Sequence, residues 1–536
     1  MKSFSWLLVL AVLSPFAIAA DQPQAQEQLN QKQLGTVNFP VSCTAQAKKT
    51  FTRGVALLHS FWYEESEKAF EQAAKEDPSC AMAHWGIAMS LWHQLWNRPD
   101  AATIQRGLAE AEQAEMLHPK TQREREYIAA IKAFYADSEK LDHEARATAY
   151  SQAMEKVFQD YPKDREAAAF YALSLLASEP ENDTTYVNRK KAAAILEKLF
   201  AEEPDHPGAA HYLIHTYDTP SMAHLGLPAA ERYAKIAPAA PHALHMPSHI
   251  FVRLGMWPDD IASNLASIAA SRRAIALHMG GGSHQFHAMA FLFYAYLQCG
   301  READAKQLIA ELRAMPPMKD MYGTGFDPRL SDLTMFEALY PLELHHWAEA
   351  AALTPEAGAL PGDNAMTYWA RAIGKAHTGD PDGARKDVAE MQSIHEDLLA
   401  KKRTGPASEV EQNIREAQAW IDHAAGKDDE AIATLSAVAK EEESDSDPEQ
   451  GLAAREMLAD LLLELKRPQE ALENYELDLK LNPNRFDALY GAAQAAEMAG
   501  KSREADTYYA QLVKACAGSD SSRPELSRAK ALLAEK

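Results

Sequence analysis

Cysteine is scarce in this chain: there are four in 536 residues, Cys43, Cys80, Cys299 and Cys516, and no CxxC pair. That pattern gives little support to a thiolate metal site. Basic residues are outnumbered, 54 Lys and Arg against 77 Asp and Glu, for a formal net charge of -23. So acidic a chain disfavours partners held through phosphates, which argues against nucleic acid and against anionic membrane surfaces. Runs of β-branched residues are few and alanine is abundant, a balance that favours helix over sheet. No GxSxG, Walker or HExxH sequence occurs. Beyond the N-terminal segment no apolar run approaches membrane-spanning length, so no transmembrane segment is expected.

What is present begins with MKSFSWLLVLAVLSPFAIAA, which has one early lysine, an apolar centre and small residues before Asp21. Residues 1–20 read as a secretory signal, which implies a periplasmic or secreted protein. Residues 21–40 are polar and glutamine-rich and read as a flexible lead-in. Export permits disulfides. Cys43 opens one expected helix and Cys80 follows the helix antiparallel to it, so a Cys43–Cys80 bridge is expected.

From residue 41 the chain is a succession of paired amphipathic helices. Ala471 and Ala505 stand 34 residues apart, as do Tyr475 and Tyr509, within the matching segments KRPQEALENY and KSREADTYYA. The alanines allow close helix approach, the tyrosines fill the space between helices, and Pro483 stops the second helix of its unit. This pattern resembles the tetratricopeptide repeat, whose two-helix unit has this length. The expected fold is an all-α right-handed solenoid, because one unit cannot bury its own apolar face and must stack on its neighbours. The sequence divides into an N-terminal solenoid at 41–314, an irregular connector at 315–364, C-terminal repeats at 365–517 and a helical tail at 518–536.

Histidine carries the chemistry. His211 and His215 are followed by His245 and His249 at the same 34-residue interval. Counting from the turn at Gly255, they fall at repeat positions that face the concave groove. HYLIHTYD places His211, His215 and Asp218 on one stripe, and HALHMPSH places His242, His245 and His249 on another. His284 and His287 of SHQFH join them from a third helix. Clustered neutral imidazoles suit Zn or Cu and are poor ligands for Mg or Ca. A shell of His211, His215, His245 and His249 is the first expectation, with Asp218 as ligand or as the group that orients a ring. Pro247 either kinks a continuous helix or begins a new one. His59 and His93, also 34 residues apart, read as helix-end polar residues too distant to join this site. Trp62, Trp85, Trp92 and Trp96 read as packing residues, and Gly280–Gly282 as a flexible link.

The segments DPSCAMAHWGIAM, HYLIH, HMPSHIF and SHQFH together resemble a group of bacterial tetratricopeptide-repeat proteins with H-Y-x-I-H and H-M-P-x-H-I motifs. The resemblance implies fold and motif identity and supplies no reaction. Three readings stay open: a metal-handling protein, a metal-dependent enzyme, and a scaffold holding a protein or peptide in its groove without metal.

Overall fold

Local sequence sets each helix end. Thr121 and Glu124 form a reciprocal capping box at the start of Gln122–Tyr135, and Asp100, Asp142 and Asp164 accept hydrogen bonds from the first-turn amides of their helices. Proline opens Pro207–Tyr217, Pro381–Ala400 and Pro468–Leu481, where its missing N–H costs nothing. A computed structural model describes residues 29–95, 98–180, 183–318, 327–443, 451–519 and 521–534. Among these described residues the chain forms 27 helices and no strand. The expected signal segment lies outside them, as does Trp96.

Helices pair in sequence as antiparallel hairpins, and the repeat residues do what their spacing implies. Ala471, Tyr475, Ala505 and Tyr509 are buried. A Cβ on Gly491 would lie 2.2 Å from the Tyr475 ring, and one on Gly86 would lie 2.3 Å from Phe70, so each aromatic sits in a slot left by a neighbouring glycine.

The stack builds two hydrophobic cores. One runs from Leu34 to Phe251 and takes in Ala274 as well, and the other runs from Val252 to Ala529. Each is drawn closed by contacts between residues far apart in sequence. In the first half the Trp62 indole donates to the Gly280 carbonyl at 2.8 Å. The amides of Gly280 and Gly281 donate in return to Glu65 and Glu64 at 2.8 and 3.1 Å. The three glycines, expected as a loose link, are therefore a docking strip. A Cβ on Gly280 would lie 2.5 Å from that of Glu64.

In the second half the buried Arg485 guanidinium joins Glu456 at 2.8 Å, Glu343 at 2.7 Å and the Tyr294 hydroxyl at 3.1 Å. Ser519 donates to the Gly300 carbonyl at 2.6 Å.

Two expected irregular regions differ from their sequence appearance. The described part of the lead-in is docked: Leu34, Val37 and Phe39 are buried, and the Phe39 ring packs on Phe51, Trp85 and Tyr127. Its short alternating apolar pattern is enough to fill the end of the first core. Within 315–364 the helices Pro328–Glu343 and Trp347–Ala351 continue the stack. Pro341 hides the first of these, yet it sits near the helix C-terminus and is tolerated there. Residues 319–326, part of the segment read as a long loop, lie outside the described residues.

Cys43 and Cys80 form a disulfide with Cα atoms 5.0 Å apart. Cys299 and Cys516 are buried thiols, and burial pushes both up to about 12. Neither is available as a thiolate at neutral pH.

Gly255 joins the two halves. Its φ is +63°, and a Cβ there would lie 2.2 Å from the Pro483 carbonyl oxygen. Gly255→Ala should lower stability by about 1–3 kcal/mol through backbone strain and this clash. Thermal denaturation would read the loss, and an unchanged midpoint would show that the contact is dispensable.

Candidate metal centre

The histidine helices are laid side by side by the 34-residue repeat. His211 and His215 lie one turn apart on Pro207–Tyr217, and Asp218 is that helix's C-cap. His242 and His245 lie on Pro241–His245, and His249 on Pro247–Arg253. Met246 between them keeps right-handed helical angles, so the chain stays coiled while Pro247 interrupts the hydrogen-bond ladder. His284 and His287 open the long helix His284–Gln298.

The rings converge, and they divide into two groups of three where the sequence suggested one shell of four. His211, His215 and His242 form one group, and His245, His249 and His287 the other. Within each, one nitrogen per ring lies within 4.8 Å of the others. The groups adjoin: the His242 and His245 rings are 6.0 Å apart, and those of His215 and His249 are 5.9 Å apart. His284 packs 5.4 Å from His242. His211, His242, His245 and His284 are buried, while His215 and His249 are half-buried. His287 is exposed, so the second group opens to solvent.

Surrounding residues set the tautomers. The His211 Nδ1 lies 2.6 Å from the His59 carbonyl oxygen, which can only accept, so Nδ1 carries the hydrogen. In the neutral ring Nε2 then has a lone pair, 3.0 Å from His242 Nε2 and 3.1 Å from His215 Nε2. His249 Nδ1 donates to Asp218 Oδ2 at 2.8 Å, and Asp218 Oδ1 accepts from Arg253 at 3.0 Å. His245 Nδ1 lies 2.7 Å from Asn264 Oδ1. The Asn264 amide is oriented by its own donation to the Asp260 carbonyl and carboxyl oxygens at 3.0 and 2.8 Å, which turns its oxygen toward His245.

In their neutral forms both rings present Nε2 lone pairs, and these nitrogens stand 3.0 Å apart. Two acceptors form no hydrogen bond with each other; a proton or a metal cation between them resolves the contact. Asp218 is a positioning group for His249 rather than a direct member of either trio.

Burial keeps the rings neutral. It lowers His211 to about 3 and His284 to about 4, and it pushes His215, His242 and His245 well below the ordinary value. Burial acts the other way on Asp218, yet Arg253 and His249 together hold its carboxyl well below the ordinary range. Neutral imidazoles, hydrogen-bonded through Nδ1 and directed inward through Nε2, are the form that ligates transition metals.

Sequence spacing placed His59 too far away to take part, but the closed superhelix brings it in. The turn after Ala45–His59 fills the space that an open repeat array would leave as a groove. Phe61, at a left-handed φ of 50°, directs its ring against the first trio, 4.4 Å from His211 and 5.6 Å from His242. His93 stacks on Tyr63 at 4.1 Å, beside the site rather than in it. Trp85 and Trp92 are core residues, the latter stacked 3.7 Å from Phe134. The aromatic run FWY at 61–63 was the available signal for this closure, but nothing in the sequence says where it docks.

His59, Glu166 and His206 form a third cluster with metal-ligand side chains. Its chemistry differs, because every donor has an acceptor. His59 Nε2 lies 2.7 Å from Glu166, and its Nδ1 lies 2.9 Å from the Tyr212 hydroxyl. His206 Nδ1 accepts from the Ala209 amide, which leaves Nε2–H for Glu166 at 3.4 Å. Burial would raise Glu166, but His206 and His59 hold it well below the ordinary range. This is a satisfied ionic knot tying the first hairpin to later ones.

No protein-family model matches the chain, and no curated protein does. Structures of human IFIT1 are among the solved structures that align with it. The human IFIT1 dimer with m7Gppp-AAAA has a TM-score of 0.34 at 12% identity, covering 86% of this chain and 95% of that one. The human IFIT1 dimer with PPP-AAAA has a TM-score of 0.37 at 14% identity, covering 82% and 91% respectively. At that distance neither bears on ligand or activity.

Acid should weaken the metal-free protein. An unfolded chain takes up protons on the buried histidines near pH 6.5, while the folded chain resists until pH 3 to 4, so stability falls across that window. Calorimetry of chelator-treated protein at a series of pH values should show a midpoint that drops steadily below pH 6.5. A flat profile down to pH 4 would mean that the rings are solvated.

Proposed function

We propose that this chain is a helical-repeat protein that binds transition metal through two adjacent three-histidine centres, His211/His215/His242 and His245/His249/His287. The observation that carries this reading is the 3.0 Å approach of two Nε2 atoms whose lone pairs are fixed by hydrogen bonds on the far sides of their rings. Such a contact in a protein interior calls for a proton or a metal cation between the two nitrogens, and a metal serves both rings of the trio and the third beside them. All-nitrogen donor sets favour Zn or Cu over Mg or Ca. Three protein ligands with one open side match the arrangement in which a bound metal keeps a position for water or substrate.

The exposed edge at His287 gives the second centre that open side. Phe61 covers the first centre and suits it to retention. Metal handling and metal-dependent chemistry are both served by this layout. Export, read from the N-terminal segment, would place the protein where Zn or Cu is acquired from outside the cytoplasm.

Untagged protein purified without chelator should retain about two Zn or Cu ions per chain by elemental analysis, and loading should raise its thermal midpoint. His287→Ala, at the exposed edge, should remove the ion of the second centre with helical content unchanged. His211→Ala should remove the ion of the first. Metal-free protein that takes up neither Zn nor Cu at micromolar concentration would return the chain to a scaffold without metal. Retention of a full complement by both variants would show that the ions sit elsewhere.

A further inference from the structure

The C-terminal half encloses a concave cavity of about 530 Å³ that contains none of these histidines. Its volume is in the range of small-ligand pockets. Glu416 and Asp478 line it, both almost wholly buried, together with Glu442. The Gln412 amide sits between two of the three, donating to Glu416 at 3.0 Å and to Glu442 at 2.7 Å. The Ala454 amide donates to the other Glu442 oxygen at 2.9 Å. Asp478 Oδ1 accepts from Asn482 at 2.8 Å, while its Oδ2 is buried with no hydrogen-bond partner among the described residues.

Four cations lie on the same lining: Lys401, which pairs with Asp397 at 2.6 Å, and Arg403 are exposed, and the two less exposed ones are engaged by other groups. Arg485 is held by Glu343, Glu456 and Tyr294. Arg455 donates to Asn474 and Glu443, and among the described residues it forms no ion pair with Glu416, Glu442 or Asp478. The cavity thus carries excess buried negative charge, which must be matched by protons or by a cationic guest. Burial raises all three carboxyl groups, Glu442 to about 7. Trp369, Met366 and Leu398 add an apolar face to the same space.

We propose that this cavity binds a primary alkylammonium group, its methylene chain against Trp369 and Met366 and its charge against Glu416, Glu442 and Asp478. An ammonium has three N–H donors and no acceptor, which suits three carboxylates facing one hollow. Such a group comes from a free diamine or from the lysine side chain of a peptide.

Isothermal titration of the full-length protein with cadaverine and with the tripeptide Gly-Lys-Gly distinguishes these sources, with uncharged pentanol as control. Saturable binding of at least one amine, without a response to pentanol, is expected. Glu416→Gln and Asp478→Asn should each weaken it by about tenfold or more. Met366→Lys, which places a cation in the cavity from a partly exposed wall position, should abolish binding even if a carboxyl variant fails to fold. His287→Ala should leave binding unchanged, which separates this site from the metal centres. No saturable binding of either amine at millimolar concentration would overturn the proposal, as would equal binding by the wild type and Met366→Lys.

Discussion

A backbone carbonyl cannot donate a hydrogen bond, and at His59 that simple limit fixes the state of the imidazole wall. Because His59 offers only an oxygen, His211 must carry its hydrogen on Nδ1 and present its other nitrogen inward. Asp218 does the same for His249, and Asn264, locked by Asp260, does it for His245. Three rings are thus oriented by groups from three different parts of the chain. Two of those groups are neutral, so the ligand set is assembled with little added charge. Asp218, the charged one, is balanced on its other oxygen by Arg253.

The contrast with the knot around Glu166 shows why proximity of ligand-type residues is a weak criterion by itself. Both clusters are buried and both contain several histidines. Around Glu166 donors alternate with acceptors, and the assembly is complete without a guest. In the imidazole wall the second-sphere groups take up the donors and leave lone pairs facing one another. The tautomer decides between the two cases, and only the groups outside each cluster reveal it.

Much of this was legible in the sequence because repeats are written periodically. The interval between His211 and His245 is the unit length, so their side-by-side placement followed from stacking alone. The Ala471 and Tyr475 positions could be read in the same way. What remained hidden was non-periodic. His59 joins the site through its carbonyl and through the residues just after it, and no spacing rule links residue 61 to residue 242. The docking of Gly280 on Glu64 was equally invisible, since three glycines signal only permissive backbone. The arrangement as two trios depended on His242 and His287, each of which joins one pair of the four expected ligands.

The contact between Trp62 and Gly280 also has a bearing on how the chain acquires its shape. Ordinary solenoids add one unit after another, each needing only its neighbour. Here a clasp links positions separated by 218 residues, and the loop-closing cost must be met before that clasp forms. A chain cut short before the clasp strip would lack both this contact and the helix that carries His284 and His287. The clasp ties the first hairpin back to a strip late in the same half, a contact that neighbour-to-neighbour stacking does not supply.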